Sequence, residues 1–195
     1  FIKGMFQYLE SPDQKLFLLI NSLNHPILDE IMWSASRKWH WLPVYLFLFY
    51  LVFKKYSWGL WKIVIGLAVL ITLTDQISVN LFKDVFLRYR PCHNIDFQGI
   101  VHLVNNKCGG QYGFISSHAA NYFGISSFLG LLLNRVYNKN AFAWMMLWAA
   151  FISYSRIYLG VHYPSDVFVG AILGLILGIG LFYIFKRFKI LKELA

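Results

Sequence analysis

The sequence predicts an all-α, polytopic transmembrane bundle of about six spans, on three observations. Hydrophobic residues make up 58% of the chain and charged residues only 14%, against the quarter or so usual in soluble domains. The apolar residues gather in segments close to the ~20 residues that cross a hydrocarbon core. The basic residues gather at the ends of those segments, as Lys and Arg do on the cytoplasmic side of membrane helices. A length of 195 residues suits one compact unit over 1–195.

Each span is read from its apolar run. Asp166 to Lys186 begins with one acid and is then apolar and glycine-rich. Ala141 to Leu159 is rich in Trp, Met and Ala, and Asn121 to Leu133 extends back to Ser116. Leu60 to Phe82 and Leu42 to Phe53 precede them, the latter extended by Trp39 and Trp41. The stretch from Phe17 to Trp33 is broken by Asn21, Asn24, His25, Pro26, Asp29 and Glu30. It reads either as a first, polar-interrupted span or as an amphipathic interfacial hairpin. Gly170, Gly174 and Gly178 recur every four residues, a stripe suited to close helix packing.

The net charge of +9 does not indicate nucleic acid, because no basic cluster sits in an RNA- or DNA-binding motif. Lys54, Lys55, Lys62, Arg135, Lys139, Lys186, Arg187, Lys189 and Lys192 all fall on one side if the helices alternate. That side is expected to be the cytoplasm. The Lys83–Ile115 loop and the Tyr158–Pro164 turn then share the opposite side, with Arg37 and Lys38. Cys92 and Cys108 both lie in that loop. In an oxidising compartment a disulfide between them is reasonable, contributing about 3 kcal/mol. Their spacing matches no familiar zinc pattern, although His93 and His102 lie nearby.

Three polar clusters converge on the outer face. They are Lys83-Asp84-Val85-Phe86-Leu87-Arg88-Tyr89-Arg90-Pro91, then Phe114-Ile115-Ser116-Ser117-His118, then Ser155-Arg156 with His162 and Asp166. Ionisable residues beside apolar spans are costly and need a reason. Lys83, Arg90 and Arg156 offer the donors that suit phosphate oxygens. Ser116 can cap a helix, which would aim the N–H groups of Ser117 and His118 at an anion. His162 can act as nucleophile, its tautomer set by Asp166, while His118 protonates a leaving oxygen and later activates water. No metal or cofactor is required, because side chains supply the positive charge. Arg88 and Asp84 read as a local pair outside this group, and Asp75, within a span, as a structural hydrogen-bonding acid. Asn121, one turn below His118, either orients it or bonds another helix.

The pattern Lys83-x6-Arg90-Pro91, Ser116-x-His118, Ser155-Arg156-x5-His162-x3-Asp166 resembles the type 2 phosphatidic acid phosphatase superfamily, and the layout resembles its six-helix bacterial members. The second motif departs: Ile115-Ser116-Ser117-His118 stands where the family usually has Pro-Ser-Gly-His. The resemblance implies phosphate ligands at Lys83, Arg90, Arg156, Ser116 and Ser117. It also implies His118 as general acid, and a phosphohistidine at His162 supported by Asp166. The expected activity is hydrolysis of a lipid phosphate or pyrophosphate at the outer face of a bacterial inner membrane. Candidate substrates are undecaprenyl pyrophosphate, phosphatidylglycerol phosphate, phosphatidic acid and the lipid A 1-phosphate, with a lean to the polyprenyl pyrophosphate. A phosphotransferase would use the same intermediate with another acceptor; a vanadium haloperoxidase or a non-catalytic lipid carrier are the remaining readings.

Overall fold

The structure is a computed structural model that describes residues 2–137 and 139–191, with side chains from residue 12 onward. Lys192, counted above among the cytoplasmic charges, lies outside the described residues. Among them every regular element is helical, apart from one isolated bridge between Tyr89 and Tyr112. The helices are α1 (Ile2–Ser22), α2 (Pro26–Ser36), α3 (Leu42–Tyr56), α4 (Leu60–Gln76), α5 (Ser117–Val136), α6 (Ala141–Tyr158) and α7 (Pro164–Arg187).

Local sequence sets the starts of the helices near the site. Pro164 opens α7, where a missing N–H costs nothing. The Asp166 carboxylate then accepts the Tyr163 N–H at 3.0 Å and completes the first turn. Ser116 caps α5 by accepting the Ala119 N–H. α4 does not stop at Gln76. It widens into a π-helical stretch, Ile77–Lys83, and ends after Phe86 where Leu87 turns left-handed. Such widened turns are frequent at functional sites, and this one delivers Lys83 to the loop that follows.

α3 to α7 alternate in direction. The end bearing loop 84–116, labelled the outer end, lies opposite the end that gathers the basic residues. There, Lys62 Nζ reaches the Ile190 carbonyl at 2.8 Å and the Tyr137 hydroxyl reaches that of Leu51. Phe128, Leu132, Ile63, Leu70 and Phe185 form the buried centre. The outer surface of the bundle carries exposed Phe47, Phe53, Trp61, Val69, Trp144, Phe168, Ile176 and Tyr183. Water would not favour so broad an apolar girdle; a bilayer does. The helical run Lys38–Phe86 and helix Pro164–Arg187 are each long and apolar enough to cross a membrane.

The N-terminal stretch forms a hairpin whose described contacts lie with the outer ends of α6 and α7 and with loop 84–116. Asn21 donates to the carbonyls of Tyr158 and His102, and Phe17 packs on Phe97 and Tyr163. Met32 packs among Tyr158, Leu159 and Val161, while Arg156 bonds the Ser36 hydroxyl. Leu16, Leu19, Leu23, Ile27 and Ile31 face outward.

The glycine stripe is a packing device. A Cβ at Gly170 would meet the Ser116 carbonyl, one at Gly174 the Ala120 carbonyl and Gly124 amide, and one at Gly178 the Ser127 hydroxyl. α7 therefore lies backbone to backbone on α5. This contact fixes the start of α5 against the start of α7, where the polar clusters meet. Gly174→Val should force the helices apart, at a cost of about 3 kcal/mol. The thermal unfolding midpoint in detergent should fall accordingly; an unchanged midpoint would show that the close approach is not needed.

Candidate active site

The site is built where the α6–α7 turn, the start of α5 and the loop after α4 converge. Asp166 lies fully buried in the first turn of α7, and His162 is 1% exposed in the turn before it. His162 Nδ1 stands 3.3 Å from Asp166 Oδ2. The carboxylate on that side, with Arg90 donating to Nε2, places the proton on Nδ1. Nε2 then keeps its lone pair, directed into the site.

Arg90 meets that lone pair. Its Nη1 donates to His162 Nε2 at 2.9 Å and to the Val161 carbonyl at 3.1 Å. Two glycines make the approach possible. A Cβ at Gly109 would lie 3.1 Å from the guanidinium carbon of Arg90. One at Gly113 would lie 3.0 Å from Arg90 Cγ and 3.2 Å from Asp166 Oδ2. The loop carrying these glycines is closed by a Cys92–Cys108 disulfide, next to Arg90 on one side and Gly109 on the other. His93 Nε2 adds a bond to the Gly109 carbonyl at 3.1 Å.

The cations expected for phosphate surround this point. Lys83 Nζ bonds the Ser117 hydroxyl at 2.8 Å. Lys83, Arg90 and Arg156 all act electrostatically on both His118 and His162, and His162 acts on His118. The first amides of α5, at Ser117 and His118, have no helical carbonyl to meet and carry the positive end of the helix dipole. Ser116 takes a different place: its hydroxyl caps α5, and its N–H donates to the Asp166 carbonyl at 2.9 Å. The Ser155 hydroxyl, also buried, bonds the Ile152 carbonyl inside its own helix.

Arg88 does not pair with Asp84 as the sequence reading expected. It donates to Asp166 Oδ1 at 2.8 Å, to Ser165 Oγ at 2.7 Å and to Asp13 Oδ2 at 2.7 Å. Its guanidinium also stacks 4.1 Å over the Tyr163 ring. The reason is burial: Asp166 is wholly shielded and needs a cation, whereas Asp84 is exposed to solvent. Asp13 on α1 further accepts the Ser165 N–H at 2.9 Å. Arg88, Asp13 and Gly113 are thus parts of the site that motif reading missed. The signal for Arg88 was a charge two residues before Arg90 in an apolar setting. For Asp13 it was a lone acid after Pro12, ahead of an apolar run.

Electrostatics fix the charge states outside the membrane. Burial works against the Arg88 charge, yet Asp166 and Asp13 outweigh it and raise its pKa. Burial, then Arg90, Arg156 and Lys83, hold His162 well below the ordinary histidine value. A neutral ring with a free Nε2 is the form a nucleophile needs.

Residues 60–190 match the PAP2 superfamily. A lipid A 4'-phosphatase from Porphyromonas gingivalis is 37% identical, across 88% of this chain and 72% of that protein. An undecaprenyl-diphosphatase from Sulfolobus acidocaldarius is 31% identical, across 82% and 72%. The crystal structure of the first transmembrane PAP2 type phosphatidylglycerolphosphate phosphatase from Bacillus subtilis superposes with a TM-score of 0.71. It covers 92% of this chain and 87% of its own, at 21% identity. The chain belongs to the PAP2 superfamily and is an integral membrane protein with that family's helical fold.

Two outcomes follow. Arg88→Ala leaves the Asp166 carboxylate buried without its strongest partner. Turnover should fall about tenfold to a hundredfold with KM little changed, and Arg88→Lys should recover part of it; wild-type kcat in Arg88→Ala would remove Arg88 from the site. The depressed His162 pKa carries a sign as well. The folded ring refuses a proton that the unfolded chain accepts below about pH 6.5. Folding stability should therefore decline as pH drops through that value and continue to fall toward the folded pKa. Thermal unfolding across pH 5 to 8, compared with His162→Gln, measures this contribution, which the variant should lack.

Proposed function

We propose that this chain is a lipid phosphatase that works through a phosphohistidine at His162. The observation that supports this most directly is the pairing of a neutral, Asp166-oriented His162 with three converging cations. In this reading a substrate phosphoryl group binds among Lys83, Arg90, Arg156 and the amides of Ser117 and His118. Those donors also stabilise the charge spread over its equatorial oxygens. Nε2 of His162 attacks phosphorus while Nδ1–H stays hydrogen-bonded to the Asp166 carboxylate, which steadies the positive charge that forms on the ring. The bond from phosphorus to the lipid oxygen breaks, and His118 protonates that oxygen. The same His118, now neutral, takes a proton from water, whose oxygen attacks the phosphohistidine. Inorganic phosphate leaves, and His162 returns to its neutral form.

The cations sit where a metal would otherwise neutralise the phosphate, so turnover is expected to be metal-independent. The active end is assigned to the periplasmic face of a bacterial inner membrane, with the basic end in the cytoplasm, because the Lys and Arg excess follows the positive-inside rule. A disulfide in loop 84–116 agrees with that placement. Among substrates, the Porphyromonas relative favours the 4'-phosphate monoester of lipid A over the polyprenyl pyrophosphate to which the sequence reading leaned. The test is phosphate release by purified protein from a panel of lipid phosphates, with and without a chelator. His162→Ala should abolish release and His118→Ala should lower it by about a hundredfold or more, with the chelator without effect. Undiminished turnover in His162→Ala would defeat the mechanism.

A further inference from the structure

A cavity of about 820 Å³ opens beneath the site, between α3, α4 and α5. Its lining changes character with depth. Lys83, Arg90 and His118 form the mouth. Deeper in, Leu48, Val52, Ile63, Leu67, Ile125 and Leu129 line an apolar end. Between the two lies a polar band of Asp75, Asn121, Tyr45 and Tyr122. Asn121 sits one helical turn below His118, about 4.5 Å along α5. Its Nδ2 donates to Asp75 Oδ1 at 2.9 Å, and its Oδ1 accepts from Thr74. The Tyr45 and Tyr122 hydroxyls bond each other at 2.9 Å. The Asn121 side chain is thereby held by α4 and is not turned toward His118.

Helix contact accounts for one oxygen of Asp75. The other has no protein donor among the described residues, and the residue faces the cavity. A carboxylate oxygen accepts and never donates when ionised. It therefore selects for donors. A prenyl chain brings only hydrocarbon to this depth. A diacylglycerol brings ester oxygens, which are acceptors too. A sugar ring brings O–H groups, and an N-acylated amino sugar adds an amide N–H.

We infer that the Asp75–Asn121 pair is a headgroup subsite that reads hydroxyl or amide donors on an acylated amino-sugar phosphate. The order of the cavity, cations then polar band then apolar depth, matches that of such a lipid: phosphate, sugar, acyl chains. The inference rests on the lipid phosphatase reading and assigns residues to recognition of the sugar headgroup.

The test compares kcat/KM for an acylated glucosamine 4-phosphate and for phosphatidic acid of matched chain length. A third substrate, the deoxy lipid, lacks the hydroxyl beside the phosphate and carries an ester in place of the amide. Wild type should prefer the intact sugar lipid, and the deoxy lipid should lose about tenfold. Asp75→Asn keeps the size and can keep the bond to Asn121. It should reduce the sugar-to-phosphatidic-acid ratio about tenfold and should no longer distinguish the deoxy lipid. An equal loss on both lipids in Asp75→Asn assigns the residue to helix packing and overturns the subsite. If Asp75→Asn does not fold, wild type decides: no penalty for the deoxy lipid overturns it. Release from phosphatidic acid without preference for the sugar lipid defeats the subsite alone. No release from any lipid defeats the phosphatase reading itself.

Discussion

One buried carboxylate organises the outer end of this protein. Asp166 is fully shielded from solvent, yet each part of it is engaged. One oxygen accepts the Tyr163 N–H, which starts α7, and faces Nδ1 of His162, which sets the tautomer. The other oxygen takes Arg88, which in turn gathers Ser165 and Asp13. The Asp166 backbone carbonyl takes the Ser116 N–H, where α5 begins. Removing a single partner of a buried charge is far costlier than the pair is stabilising. Helix capping, ring orientation and anchoring of the N-terminal hairpin are therefore coupled through one residue.

That coupling works only because α5 and α7 approach without side chains between them. Gly170 sits against the Ser116 carbonyl, so the stripe of small residues ends where the catalytic candidates begin. Gly113 extends the same logic into the loop, admitting Arg90 and His162 to one point. The Ser117 of the altered second motif also finds a use. Where the family usually has glycine, its hydroxyl holds the Lys83 amine. The extra side chain is thereby part of the cradle and keeps one of its cations aimed at the helix N-terminus.

Much of this was legible in the sequence, for identifiable reasons. A membrane span needs a long apolar run, and a phosphate site beside one needs ionisable residues that have no other excuse. Both are visible as composition and spacing, which is why Lys83, Arg90, His118, Arg156, His162 and Asp166 were named together. What stayed hidden depended on partners distant in the chain. Arg88 lay beside Asp84 in sequence, and only folding brings Asp13 and Asp166 to it. The role of the polar residues in the N-terminal hairpin stayed hidden, because Asn21 and Asp29 look disruptive until they are seen bonding the outer ends of other elements. The π-helical end of α4 leaves no periodicity that distinguishes it from an ordinary helix.

The contact between Arg90 and His162 links binding to chemistry. The guanidinium donates to Nε2, the atom proposed to attack. The lone pair is then occupied, and the same guanidinium is a proposed phosphate ligand. A phosphoryl group is doubly or nearly doubly charged and accepts far more strongly than an imidazole nitrogen. A phosphoryl group bound here would therefore compete with Nε2 for the same guanidinium. The burial that holds His162 neutral also brings its Nε2 within reach of a residue proposed to hold the phosphate.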